Sequence, residues 1–176
     1  MNITVFCAAN EIEERYTRPA LEFARLLGAG GHTLVWGGSD SGLMGDLARG
    51  VRGAGGKLVG ITVEFLAHKA FEGADEMVVT PNLGARKGQL LGRGDAIVVL
   101  VGGMGTLDEV TEILELKKHG HHAKPIVFLD TEGFYDGLRA QLRRMDVDGF
   151  LPIPSAQLAA FTSDPAEVLD LLTPAG

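Results

Sequence analysis

The feature that most constrains the fold is an alternation of short, wholly apolar runs with longer segments of helical character. The runs are rich in β-branched residues. They predict six strands, at residues 3–7, 33–36, 58–62, 76–80, 96–100 and 126–129. Short apolar strands separated by helices are typical of a parallel sheet covered on both faces. The sequence therefore predicts an α/β fold, a Rossmann-like doubly wound parallel sheet flanked by helices on both faces.

Helix signals lie between these strands and after the last one. The predicted helices cover residues 19–27, 43–51, a segment carrying Arg86 and Lys87, and residues 107–118, 134–144 and 165–172. Thr17 is expected to cap the first helix, and Asp164 with Pro165 to begin the last. The 176 residues contain no internal repeat, low-complexity linker or charge block. We therefore predict a single domain over residues 1–176, since about 100–200 residues is typical of one domain.

Net charge, cysteine content and hydropathy limit the classes of partner and the cellular location of the protein. The net charge is −7 and no basic stripe is present, which argues against nucleic acid. The single cysteine, Cys7, excludes an internal disulfide and is expected to be buried beneath the first strand end, as in a protein of the reducing cytoplasm. The longest apolar run, residues 96–101, is too short to span a bilayer. With no signal-peptide pattern at the N-terminus, we expect a cytoplasmic protein that does not bind membranes.

Two glycine-rich turns follow predicted strands. They are residues 37–45 (GGSDSGLMG) and residues 101–109 (VGGMGTLDE). In open α/β sheets such turns expose backbone N–H groups at helix N-termini, where phosphates bind. Tight strand-to-helix turns without a ligand explain the same glycines equally well. Neither turn fits a dinucleotide or Walker fingerprint, so hydride transfer and NTP hydrolysis lose most of their support.

Several side chains near the second turn have structural explanations beside chemical ones. Thr106 and Glu109 fit a capping box, in which the glutamate reaches back to the N–H of the capping threonine. Glu112 fits a solvated helix face. Arg86 with Lys87 fits an ordinary surface pair.

Histidines and aromatic residues elsewhere predict structure rather than chemistry. Three clustered histidines lack the spacing of a metal site and predict a polar loop: His119, His121 and His122. Three aromatic residues are expected in the core: Trp36, Phe128 and Phe134. We therefore predict no metal site.

Taken together, the motifs resemble the Lonely Guy (LOG) family, the cytokinin riboside 5′-monophosphate phosphoribohydrolases. Residues 101–109 are similar to its P-G-G-x-G-T-x-x-E signature, residues 37–45 to its G-G-G-x-x-G-L-M-G turn, and Arg86-Lys87 stands where the family has M-H-E-R-K. The resemblance runs from about residue 3 to residue 172. This sequence departs from the family pattern at Ser39, at residues 83–85, at Val101, at Leu116 and at Lys118. The departure at 83–85 replaces two polar side chains and leaves the preferred base open.

The resemblance implies a hydrolase of the N-glycosidic bond of a nucleoside 5′-monophosphate, AMP or a precursor in cytokinin biosynthesis. The products are the free base and ribose 5-phosphate. The resemblance also implies a homodimer that needs no cofactor or metal. Some relatives carry a lysine decarboxylase label, but these residues give no site for pyridoxal phosphate. A non-catalytic nucleotide-binding module is the alternative function, and a scaffold whose glycines are merely turns is a third.

The resemblance also assigns site residues. Glu109 would orient water and stabilise a cationic ribose, and Arg86 would orient the nucleotide and stabilise the leaving base. Substrate and phosphate binding is expected from six further residues: Lys87, Gly102, Gly103, Gly105, Thr106 and Asp108.

Overall fold

The apolar runs form the strands of one sheet in the computed structural model, which describes residues 1–173. In chain order the strands are β1 (Asn2–Phe6), β2 (Thr33–Trp36), β3 (Lys57–Val63), β4 (Glu76–Thr80), β5 (Ala96–Val99), β6 (Ile126–Leu129) and β7 (Ala160–Thr162). Their order across the sheet is β4-β3-β2-β1-β5-β6-β7, and every neighbouring pair is parallel. The predicted Rossmann-like doubly wound sheet is confirmed.

Helices cover both faces of the sheet. They are α1 (Glu14–Ala29), α2 (Gly42–Gly53), α3 (Leu83–Arg93), α4 (Met104–Lys118), α5 (Asp136–Val147), α6 (Ser155–Leu158) and α7 (Pro165–Leu172). Helices α1, α2 and α7 contribute to the core on one face, and α3 to α6 contribute to the core on the other. In β1, Val5 packs into the first core and Phe6 into the second, as the period of two along a strand requires. No helix within residues 1–173 is long and apolar enough to cross a membrane.

The six predicted strands are confirmed to within one residue at each end, but β7 was missed. Its three residues begin one residue after a four-residue helix, and the apolar run at residues 158–161 (LAAF) is half alanine, a residue type that is depleted in strands. Strand β7 forms one edge of the sheet beside β6.

The helix predictions need two corrections near the termini of α1 and α5. Helix α1 begins at Glu14, so Thr17 lies inside the helix rather than capping it, and Pro19 forgoes one backbone hydrogen bond in the second turn. Phe134 is 44% exposed, because it lies in the turn before α5 and packs edge-on against the Tyr16 ring at the surface. The cap at Asp164 is confirmed, since its side chain accepts a hydrogen bond from the Ala166 N–H at 2.8 Å.

The strand order places a crevice above the carboxyl ends of β1 and β5. From β1 the chain moves outward through β2, β3 and β4, and then returns to pair β5 with the other side of β1. Loops leaving β1 and β5 therefore diverge to opposite faces at this point. In open α/β sheets, ligands bind at such a reversal.

Candidate active site

A cavity of about 420 Å³ fills this crevice. Its walls come from the end of β3 and from the segments that follow β1, β2, β3 and β5, together with side chains of α2, α3 and α4. The segment after β3 is the 3-10 helix Glu64–Lys69, here called the strap. The cavity thus brings together residues that lie far apart in sequence, including both glycine-rich turns.

Arg86 and Glu109 form a buried ion pair in the cavity wall. Arg86 Nη1 donates to Glu109 Oε1 at 2.6 Å, and the side chains are only 11% and 10% exposed. Arg86 Nε donates to the Ile61 carbonyl oxygen at 2.9 Å, which fixes the guanidinium against β3. A Cβ at position 37 would collide with Arg86 Nη2, so Gly37 makes room for the guanidinium. The pair occupies one oxygen of Glu109, and Oε2 accepts no hydrogen bond from residues 1–173.

The electrostatics of Glu109 combine two opposing effects. Burial raises the pKa of Glu109 above its usual range, while the adjacent Arg86 guanidinium offsets part of that rise. The net shift is upward. A carboxylate of raised pKa that keeps one oxygen available inside a cavity is suited to accept a proton from water.

The N-terminus of α4 faces the cavity without a capping side chain. The N-cap is Gly103, the helix begins at Met104, and the first turn carries no acidic residue. The first backbone bond of the helix runs from the Leu107 N–H to the Gly103 oxygen at 3.0 Å. The preceding N–H groups and the positive end of the helix dipole are therefore available to an anion.

The predicted capping box is wrong. Thr106 is the third residue of α4 rather than its cap, because the helix begins one turn earlier than predicted. Glu109 consequently lies too deep in the helix to reach the cap, and it pairs with Arg86 instead. Thr106 is buried, and its side chain occupies the space that a Cβ at Gly102 would need.

Five of the eight predicted site residues line the cavity: Arg86, Gly103, Gly105, Thr106 and Glu109. The other three do not. Gly102 lies in the wall of a neighbouring groove, and Lys87 forms ion pairs with Asp108 at 3.2 Å and with Glu112 outside the cavity. Glu112 is thus an ion-pair partner on the exposed face rather than an isolated solvated side chain. Contact of Lys87 and Asp108 with substrate stays a prediction.

Sequence reasoning missed several cavity residues. Lys69 of the strap is the main one, and the polar residues Asn10, Ser39 and Ser41 also line the cavity. No motif singles out a lysine in a short 3-10 segment, so only the three-dimensional fold reveals it. Cys7, predicted as a buried residue under the end of β1, is confirmed as buried and lines the cavity, and burial raises the pKa of its thiol.

The clustered histidines make ordinary contacts at the end of α4. His119 shares a hydrogen bond with Glu115 at 2.8 Å, and His122 Nε2 lies 3.0 Å from the Ile113 carbonyl oxygen. Across residues 1–173, no group of three or more His, Cys, Asp or Glu side chains is arranged to hold a metal ion.

These features define a Rossmann-type protein with an open helix N-terminus and a buried arginine–carboxylate pair in one cavity. A family model described as "Possible lysine decarboxylase" matches residues 44–172. A cytokinin riboside 5′-monophosphate phosphoribohydrolase of Mycobacterium tuberculosis is 38% identical over 151 residues, which covers 85% of this chain and 81% of that protein. A probable enzyme of the same name from Oryza sativa subsp. japonica is 37% identical over 153 residues, covering 85% and 67%. The chain belongs to the Lonely Guy family, the group to which these phosphoribohydrolases belong.

Solved structures share the fold. The molybdenum cofactor binding protein from Rippkaea orientalis superposes with a TM-score of 0.76 at 23% identity, over 97% of this chain and 93% of that one. The molybdenum cofactor carrier protein from Chlamydomonas reinhardtii gives 0.71 at 25% identity, over 97% of each chain. The same fold therefore occurs in two proteins described as binding or carrying the molybdenum cofactor.

Proposed function

We propose that this protein hydrolyses the N-glycosidic bond of a nucleoside 5′-monophosphate, releasing the free base and ribose 5-phosphate. The observation that carries the proposal is the buried Glu109 carboxylate, of which only Oε1 is bound by Arg86. It lies in the same cavity as the uncapped N-terminus of α4. The names of the relatives support the same reaction. The protein is accordingly a hydrolase.

The 5′-phosphate binds at the N-terminus of α4. Backbone N–H groups of Gly103, Gly105 and Thr106 surround it, and the Thr106 hydroxyl adds a further donor. The helix dipole favours the dianion at this position. Holding the phosphate fixes the ribose relative to Glu109, and this positioning lowers the barrier of the chemical step.

Glu109 acts where positive charge develops. As the bond from C1′ to the base nitrogen breaks, its electron pair moves to the base and the ribose becomes cationic. Glu109 Oε2 orients a water molecule toward C1′ and accepts its proton as the new C–O bond forms, while the carboxylate charge stabilises the ribose. Glu109 then gives this proton to the departing base, so the overall reaction consumes one water molecule.

Arg86 has two functions in this scheme. Its Nη1 holds Glu109 in place and favours the ionised carboxylate. Its Nη2, which is not hydrogen-bonded to any of residues 1–173, lies beside Gly37 in the cavity wall. This nitrogen is the donor left to stabilise the electron pair on the leaving base.

We extend the proposal to a cytoplasmic homodimer that acts on AMP or on a cytokinin nucleotide, in cytokinin biosynthesis in the latter case. Helix α3 supports a close contact between copies, because Gly84, Gly88 and Gly92 are all exposed at a spacing of four residues and Leu83 is exposed next to them. Sedimentation equilibrium tests the assembly, since Gly88→Glu should give monomers if α3 forms the interface.

Product analysis by chromatography tests the reaction. Purified protein is incubated with AMP and, separately, with isopentenyladenosine 5′-monophosphate, beside the variants Glu109→Gln and Glu112→Gln. We expect free base from the wild type and from Glu112→Gln, and none above background from Glu109→Gln. Intact nucleotide in every sample, from folded protein that still binds it, would replace the hydrolase with a nucleotide-binding module.

A further inference from the structure

The charges in the cavity walls do not balance the phosphate of the proposed substrate. Three charged side chains line the cavity: Arg86, Glu109 and Lys69. Arg86 and Glu109 neutralise each other across 2.6 Å. Lys87, the cation that the motif suggests for this purpose, is paired with Asp108 and Glu112 outside the cavity. A phosphate monoester carries a charge of about −2 at neutral pH, so a further cation is needed.

Lys69 is the cavity cation without a partner. It forms no ion pair with any of residues 1–173, and its side chain is exposed at the mouth of the cavity. A lysine ammonium is a compact charge on a flexible stem, which suits it to contact a phosphate oxygen as a point charge. The opposite wall, at the α4 N-terminus, supplies N–H donors but no cation.

The backbone holds Lys69 in this place. The Lys69 carbonyl oxygen accepts a hydrogen bond from the Asp40 N–H at 2.9 Å, and the Phe71 N–H donates to the Gly38 oxygen at 2.8 Å. An antiparallel bridge between Ser39 and Ala70 lies between these bonds. Phe71 also packs edge-on against the buried Trp36 ring. The end of the strap is therefore fastened to the first glycine-rich turn, and only the Lys69 side chain needs to be ordered by a ligand.

We propose that Lys69 is a substrate-binding residue that contacts the 5′-phosphate from the strap, opposite the N-terminus of α4. The inference rests on the proposed function for the identity of the phosphate ester. Residues 101–109 contain no lysine or arginine, and Lys69 of the strap supplies the missing cation. Lys69 contributes equally to binding before and during the chemical step, because the phosphate does not change charge in the reaction. Removing it raises KM and leaves kcat nearly unchanged.

The experiment compares Lys69→Ala with Lys69→Arg and with the control Lys57→Ala. Lys57 begins β3 at its amino end, whereas the strap follows the carboxyl end of the same strand, so Lys57→Ala deletes the same charge far from the cavity. A lost charge-assisted contact weakens binding about tenfold, so we expect KM for the nucleotide to rise about tenfold in Lys69→Ala. Lys69→Arg should recover most of this loss, and Lys57→Ala should match the wild type. An unchanged KM in Lys69→Ala, or an equal rise in Lys57→Ala, would overturn the proposal.

A binding measurement that needs no turnover separates this inference from the proposed function. The probe is inorganic phosphate, titrated into each folded variant and followed by the shift in melting temperature. Weaker phosphate binding in Lys69→Ala alone supports the proposal even if no nucleotide is hydrolysed. Equal phosphate binding in all variants contradicts it even if hydrolysis is observed. Adenosine, which lacks the phosphate, should inhibit the wild type and Lys69→Ala equally.

Discussion

Two ion-pair sets join α3 to α4 at adjacent positions, and they differ in almost every physical respect. Arg86 and Glu109 lie in the cavity wall with about a tenth of each side chain exposed. Lys87, the residue after Arg86, pairs with Asp108, the residue before Glu109, and with Glu112, three residues after Glu109, and these two carboxylates are 67% and 44% exposed. One residue turns a helical side chain by about 100°, which is enough to separate a buried pair from a surface cluster. Burial, rather than charge, therefore distinguishes the candidate catalytic pair.

The largest expected difference is in turnover. Glu109→Gln keeps the shape of the side chain but removes the carboxylate charge and the proton acceptor, so kcat should fall by about 10³-fold or more. Glu112→Gln removes a carboxylate from the same helix on its exposed side and should change kcat less than about twofold. Steady-state kinetics of the two variants make the comparison. Similar losses in both would show that the α3–α4 contact as a whole, rather than Glu109, supports the reaction.

The next largest difference is in stability. Arg86→Ala leaves Glu109 buried without its cation, and breaking a buried pair in this way costs about 3 kcal/mol of unfolding free energy. Glu109→Gln in the Arg86→Ala background should recover part of that loss, because a neutral amide replaces the uncompensated charge. Urea denaturation of the single and double variants measures the coupling. Additive effects would mean that the two side chains do not interact energetically.

The same comparison explains what could be predicted from the sequence. The parallel sheet follows from apolar runs, and the cavity position follows from glycine-rich turns at strand ends, because both depend on local patterns. Arg86 and Lys87 are neighbours of similar chemistry, and no local pattern says which one faces the sheet. The family signature groups them together, and only the packing of α3 on β3 separates them.

Other features depend on contacts between distant segments. Helix α4 begins at Met104, one turn earlier than the sequence predicts. Because of this shift, Glu109 forms an ion pair with Arg86 instead of taking part in a capping box. Lys69 reaches the cavity because Asp40 and Gly38 fasten the end of the strap, and those bonds join segments about 30 residues apart in sequence. Strand β7 is short and depends on β6 for its hydrogen bonds.

The pH dependence of activity should report the burial of Glu109. Because burial raises the pKa of Glu109, activity that requires its ionised form should fall with decreasing pH already above the usual glutamate range. Arg86→Gln removes the cation that favours ionisation, so the acid limb of kcat/KM should move to still higher pH. Profiles of kcat/KM against pH for both proteins test this. An acid limb within the ordinary carboxyl range, unmoved by Arg86→Gln, would assign the limb to another group.

The raised pKa of Glu109 also makes the free energy of unfolding depend on pH, because proton binding and folding are linked. The folded protein with a raised Glu109 pKa binds more protons than the unfolded chain between the two pKa values. Stability therefore decreases as pH rises from the unfolded pKa through the folded one, and this contribution is absent in Glu109→Gln. Urea denaturation across that window, compared between the wild type and the variant, isolates the effect. A difference between the two proteins that does not vary with pH would show that the pKa is not shifted.

The smallest expected effect belongs to the exposed cluster, where the pKa of Lys87 is raised by hydrogen bonds to Glu112 and Asp108. Removing one member of an exposed ion pair changes stability by less than about 1 kcal/mol, because water and salt screen the charges. At low ionic strength, the free energy of unfolding of Lys87→Ala should therefore lie below that of the wild type by less than about 1 kcal/mol. This difference should shrink at about 1 M salt, where the Debye length is about 3 Å. Arg86→Ala should keep most of its deficit in the same salt, since its pair is buried. A Lys87→Ala deficit as large and as insensitive to salt as that of Arg86→Ala would mean that the two sets act as one network across α3 and α4.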